Sequence, residues 1–199
     1  MNRVRVVLLD RDGLLVEHVP HNADPGRVRP APHAREALGL LRARGVHTGV
    51  LTHQPGVARG LPTQADLRRV DERIEDLLGP FDVWAVCPHG PDDGCHCRPP
   101  QPGLVLWAAG RVCTPPERIA VIATTPDAVE AASRAGAHGI LVPAPAADPR
   151  RTASAAHVAP DLLTAVRGVL TGPPRQHVPA DERAIARAYR EARDEAGRP

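Results

Sequence analysis

Short apolar runs alternate with helical periodicity along almost the whole chain. Arg3–Leu9 is brief and rich in β-branched residues, which predicts a buried strand. Pro32–Arg44 puts Leu38 and Leu41 on one face and stops at Gly45, which predicts a helix. Val46–Leu51 reads as a second strand. Thr63–Leu78 reads as a second helix, with Thr63 and Asp66 at capping-box spacing and Gly79-Pro80 as its stop. Phe81–Val86 is a third strand, and a helix begins near Pro102. Ile119–Ala123 is a fourth strand, Asp127–Ala135 a helix, Gly139–Val142 a fifth strand and Asp161–Leu170 a last helix. Loops are expected over Glu17–Pro30, Cys87–Gln101 and Pro143–Pro149. Strands alternating with helices in this way predict an α/β fold, a parallel sheet with helices on both faces. That domain spans residues 1–171. Residues 172–199 read as a Pro-rich linker followed by a charged helix, Ala180–Gly197. Its apolar stripe is narrow, so it either rests on the domain or serves as a small interaction helix.

Composition narrows the class. Only 2% of residues are aromatic, so the core is built from Ala, Val, Leu and Ile. A formal net charge of +2 is too small to point to nucleic acid. No run of 18 apolar residues and no signal peptide is present, which gives the expectation of a cytoplasmic protein without a membrane partner, monomeric by default. All 25 basic residues are Arg.

Three constellations carry chemistry. Asp10-Arg11-Asp12-Gly13 follows directly on the first strand. In an open α/β sheet the ligand crevice lies at the carboxyl ends of the strands. Paired carboxylates there can hold a hard cation and attack phosphorus, although Asp and Gly also favour plain turns. Thr52-His53-Gln54-Pro55-Gly56-Val57-Ala58-Arg59-Gly60 closes the second strand. Thr52 would lie beside the Asp pair if the two strands are neighbours, and Arg59 could clamp an anion in bidentate fashion. Cys87, His89, Cys95 and Cys97 form a Cys3His set, the closed tetrahedral type that suits structural zinc. His96 lies between two of the ligating cysteines and is expected to point away. Cys113 is left over and is expected in the core. Arg98, just after the cysteines, offers a cation for phosphate.

These strings resemble the haloacid dehalogenase superfamily of phosphatases. Leu9-Asp10-Arg11-Asp12-Gly13, the Thr52–Gly60 segment, Cys87-Pro88-His89, Cys95-His96-Cys97-Arg98 and Pro102-Gly103-Leu104 look most like its heptose bisphosphate and histidinol phosphate phosphatase branch. The resemblance implies a Rossmann-like sheet with a zinc-stabilised loop. It implies Asp10 as the nucleophile and Asp12 as general acid and then base. It also implies Thr52 as a phosphoryl contact, with His53, His21, Arg59 and Arg98 as candidate contacts to a small phosphorylated metabolite. Mg²⁺ would be held by Asp10 and the backbone carbonyl of Asp12, with Asp127 a candidate third ligand.

The match departs from the family's pattern at three places. The family has Asn where His53 stands and Arg-Lys where Arg98-Pro99 stands. Its fourth strand ends in Gly-Asp, with a second Asp four residues on; here those positions hold Thr124 and Ala128. Two readings follow: an Mg²⁺-dependent phosphatase acting through an aspartyl-phosphate, or a catalytically weakened relative that binds a phosphorylated ligand or a protein partner.

Overall fold

Five parallel strands lie in the order β3-β2-β1-β4-β5 in the computed structural model, which describes residues 4–144 and 156–172. The strands are β1 (Val6–Asp10), β2 (His47–His53), β3 (Val83–Cys87), β4 (Ile119–Ala123) and β5 (His138–Leu141). The expected linker and C-terminal helix fall outside the described residues.

The central strand shows why the chain folds this way. Val7 and Leu9 point to one face of the sheet and Val6 and Leu8 to the other, and none of the four is exposed. A strand buried on both faces needs apolar residues at every position, which is what a parallel sheet demands. Three helices cover the first face: α1 (Ala34–Ala43), α2 (Gln64–Leu78) and α5 (Leu162–Thr171). Leu38, Leu41, Ile74 and Val166 pack there against Val7, Leu9, Val50 and Ile122. Two helices, α3 (Gly103–Arg111) and α4 (Pro126–Arg134), cover the second face. Leu104, Leu106 and Val129 meet Val6, Leu8 and Val121 there.

The helix ends follow local chemistry. Thr63 caps α2 and forms the expected reciprocal capping box with Asp66. Asp161 caps α5 and Thr125 caps α4 through side-chain oxygens. Most expected boundaries shift by one to three residues, and two of the shifts have a clear local cause. Helix α1 starts after Pro32 and His33, because His33 sits in a left-handed conformation at φ 63°. Strand β2 runs on to His53, because Thr52 and His53 still pair with Val86 and Cys87 of β3. Cys113 is a correction: it is exposed, not in the core. It lies just past α3 at φ 49°, and its thiol turns back towards the Gly110 carbonyl.

The topology fixes where a ligand can bind. The chain moves outward from β1 through β2 to β3, then returns to the other side of β1 for β4 and β5. The strand order therefore reverses between β1 and β4. Such a switch point opens a crevice at the carboxyl ends of the strands.

Candidate active site at the sheet switch point

Asp10 is the last residue of β1 and stands at that crevice. Thr124 follows β4 directly and faces it. The Thr124 hydroxyl donates to Asp10 Oδ2 at 2.7 Å, and its backbone N–H donates to the same oxygen at 3.3 Å. Burial nevertheless pushes the Asp10 carboxyl up to about 6, against these two bonds. Gly13 then takes φ +78°, a left-handed turn that favours glycine. Its N–H bonds the Val16 carbonyl at 2.7 Å, which turns the chain back.

Asp12 is held from two sides. Arg11, only 1% exposed, donates from Nη2 to Asp12 Oδ2 at 3.0 Å and from Nε to both carboxylate oxygens at 3.2 Å. On the other side Gln54 Nε2 donates to Asp12 Oδ2 at 2.7 Å and to Thr52 Oγ1 at 2.8 Å. Thr52 is buried at the end of β2, one strand away from Asp10 as expected. Its oxygen accepts from Gln54, so its hydroxyl hydrogen is left to donate to a ligand.

A cavity of about 600 Å³ opens over these groups. Asp10, Asp12, Thr52, His53, Arg98 and Asp127 all line it. His18 joins them from the loop after β1, while Leu104, Val105 and Leu141 form an apolar wall. Arg98 is also tied into its loop by a 2.9 Å bond to the Pro91 carbonyl. Asp127 sits in the first turn of α4, and Ala128 directs its backbone N–H to Thr125 instead of a carboxylate to the cavity. Arg59 does not join the cavity lining; it lies exposed on a short 3-10 turn, Val57–Arg59. His21 is likewise outside, packed against Gly56.

The four metal-type ligands converge. One ligand atom from each of Cys87, His89, Cys95 and Cys97 lies within 4.8 Å of the others. The Cys87 and Cys97 sulfurs are 3.2 Å apart, and His89 Nδ1 is 3.2 Å from Cys97 Sγ. These sulfur distances are far longer than a disulfide bond of about 2.05 Å. The Cys97 thiol bonded to Cys87 holds Cys87 down to about 5, and the same contact pushes Cys97 up. Thiols this close cannot all ionise unless a cation sits among them, so the donor set fits a tetrahedral metal. His96 is exposed and takes no part. The cluster touches the crevice from behind: His53 Nε2 lies 3.0 Å from the His89 carbonyl, and Gln54 N–H bonds the Cys87 carbonyl at 2.8 Å.

Comparison with known proteins agrees with this geometry. A HAD-hydrolase-like family model matches residues 96–165. A D-glycero-beta-D-manno-heptose-1,7-bisphosphate 7-phosphatase from Pseudomonas putida is 31% identical over 144 residues, covering 70% of this chain and 82% of the relative. The chain belongs to this branch of the haloacid dehalogenase-like hydrolases. The protein of the same name from Pseudomonas aeruginosa is 35% identical over 105 residues, which span 50% of this chain and 59% of that relative's length. Among solved structures, the D,D-heptose 1,7-bisphosphate phosphatase of B. bronchiseptica, complexed with magnesium and phosphate, superposes with a TM-score of 0.75. It shares 26% identity, and the match covers 84% of this chain and 99% of that one.

Sequence reasoning missed three residues in this haloacid dehalogenase-like site. Gln54 stood in the motif with no role. Arg11 stood between the two acids and looked like part of a turn. Asp71 lies on α2, where Arg11 Nη1 donates to its Oδ1 at 2.9 Å. Its signal was available: Asp71 falls four residues after Leu67 and three before Ile74, on the buried stripe of the helix.

Proposed function

We propose that this protein is a phosphomonoester hydrolase acting on a small phosphorylated sugar of the heptose bisphosphate type through an aspartyl-phosphate. The carrying observation is the convergence of Asp10, Asp12 and Thr52 on one cavity at the switch point. Asp10 attacks phosphorus and forms the new P–O bond. The bond from phosphorus to the sugar oxygen breaks, and Asp12 gives its proton to that leaving oxygen. Asp12 then takes a proton from water as the water attacks the acyl-phosphate, which releases phosphate and restores Asp10. Thr52 donates its hydroxyl to a phosphoryl oxygen, and Arg98 and His53 face the anion from the second and third loops. The Asp10 carboxylate and the backbone carbonyl of Asp12, with Asp127 near by, would offer Mg²⁺ the oxygen ligands it prefers. When bound, Mg²⁺ neutralises the charge shared by phosphate and nucleophile. Zinc in the Cys87, His89, Cys95 and Cys97 cluster would hold the loop that carries Arg98. The protein is read as a cytoplasmic monomer, with residues 1–171 as its catalytic domain.

One observation favours a second reading. Thr124, not a carboxylate, faces Asp10, and Ala128 offers no side-chain ligand. A site short of acids would bind Mg²⁺ weakly and keep the ligand without turning it over. A panel of sugar phosphates and histidinol phosphate, incubated with zinc-loaded protein and Mg²⁺, separates the two. The account expects phosphate release, abolished by Asp10→Asn while the zinc content is unchanged. No release from any substrate would leave the binding role.

A further inference from the structure

Among the described residues Arg11 is the largest side chain that is fully buried, and its guanidinium spans two carboxylates. Three of its four hydrogen bonds go to Asp12, the adjacent residue at the cavity. The fourth goes to Asp71, sixty residues along the chain on α2. A pair that only tied α2 to the sheet would be complete with Arg11 and Asp71. Here most of the fork is spent on the site carboxylate, and Asp71 takes the remaining corner.

The geometry treats the two oxygens of Asp12 differently. Oδ2 accepts from Arg11 Nε, Arg11 Nη2 and Gln54 Nε2. Oδ1 has one contact of 3.2 Å, from Arg11 Nε. One oxygen is saturated, and the other keeps lone pairs for a reacting group. A guanidinium is planar, so its orientation sets that of the carboxylate it grips. Gln54 pins only Oδ2 of Asp12, so the Arg11 and Asp12 pair could still turn about that contact. The bond from Nη1 to a rigid helix removes that freedom.

We propose that Asp71 is a positioning residue for the reaction: by anchoring Arg11 to α2, it holds Asp12 with Oδ1 directed to the transferred proton. Asp71 does not touch the substrate. The proposal rests on the phosphatase reading above.

Turnover by the zinc- and Mg²⁺-loaded full chain comes first. A wild-type protein that hydrolyses no substrate of the panel overturns both the phosphatase reading and this proposal. With an active wild type, Asp71→Leu keeps the branched shape and removes the acceptor. It is expected to lower kcat by about tenfold or more with KM within about twofold, because orientation acts on the chemical step and not on binding. Asp71→Asn keeps an acceptor oxygen and should recover most of the lost kcat. Arg11→Met should lower kcat in the same way, and the double variant Arg11→Met/Asp71→Leu should be no worse than Arg11→Met alone. If Asp71→Leu does not fold, the wild type, Asp71→Asn and Asp71→Ser give the same comparison, Ser being too short to reach Nη1. An acceptor-free Asp71 variant with wild-type kcat, or losses that multiply in the double variant, overturns the proposal while leaving the phosphatase reading intact.

Discussion

At the residue scale the site depends on carboxylates whose surroundings differ. Asp10 accepts two hydrogen bonds from Thr124, yet its burial dominates and its carboxyl titrates near 6 instead of 3.8. Between about pH 4 and 6 the folded, metal-free protein keeps a proton on Asp10 that the unfolded chain has lost. Stability therefore falls as pH rises through that window and stays lower above it. Asp10→Asn removes this penalty. In chelator it should raise Tm at pH 8 by about 3–6 °C, corresponding to about 1–2 kcal/mol, with the difference gone below pH 4. A variant no more stable than wild type at pH 8 would show that Thr124 fully offsets the burial. The Asp10 and Asp12 pair alone also reads as a turn, and it was legible as a site in sequence because the Thr52 segment and the cysteine set accompany it. The clamp on Asp12 was not, because it depends on Arg11 turning inward to a helix sixty residues away. Cys113 misled for a related reason: residue type suggests burial, but a left-handed turn after α3 carries it outward.

At the element scale, strands and helices were legible because their periods are clean and their caps are local. The capping box at Thr63 is an example, and Thr63→Ala should cost about 1 kcal/mol of stability in thermal or urea unfolding. Packing between strands was not legible. A Cβ on Gly49 would lie 2.4 Å from Val83 Cγ1 and 2.8 Å from Leu8 Cδ2. Gly49→Ala should therefore destabilise by about 1–3 kcal/mol through overpacking, measured by urea unfolding. The cysteine loop is the element that a bound metal would order most directly. Its ligand spacing was plain in the sequence, and the structure brings all four donors together. Removing zinc by chelation should open residues 87–98 to hydrogen exchange and lower Tm by about 5 °C or more. Unchanged melting after verified metal loss would mean that the loop holds itself.

At the scale of the whole molecule, the order β3-β2-β1-β4-β5 does the arranging. It places the end of β1 between the ends of β2 and β4. Asp10 therefore meets Thr52 on one side and Thr124 on the other, while the cysteine loop after β3 adds Arg98 to the rim. The same topology explains why α2 can reach Arg11 from beneath the sheet face on which it packs. The alternation of strands and helices made this architecture legible; which side chains face the cavity followed only from the strand register. The central claim is that Asp10 carries the phosphoryl group during turnover, and acid-quench peptide mapping tests it most directly. Protein mixed with a hydrolysed substrate and Mg²⁺, then quenched in acid, should show a phosphoryl group on the peptide containing Asp10. The label should be absent in Asp10→Asn. Phosphate release with no label on that peptide, or a label that survives Asp10→Asn, would contradict the account.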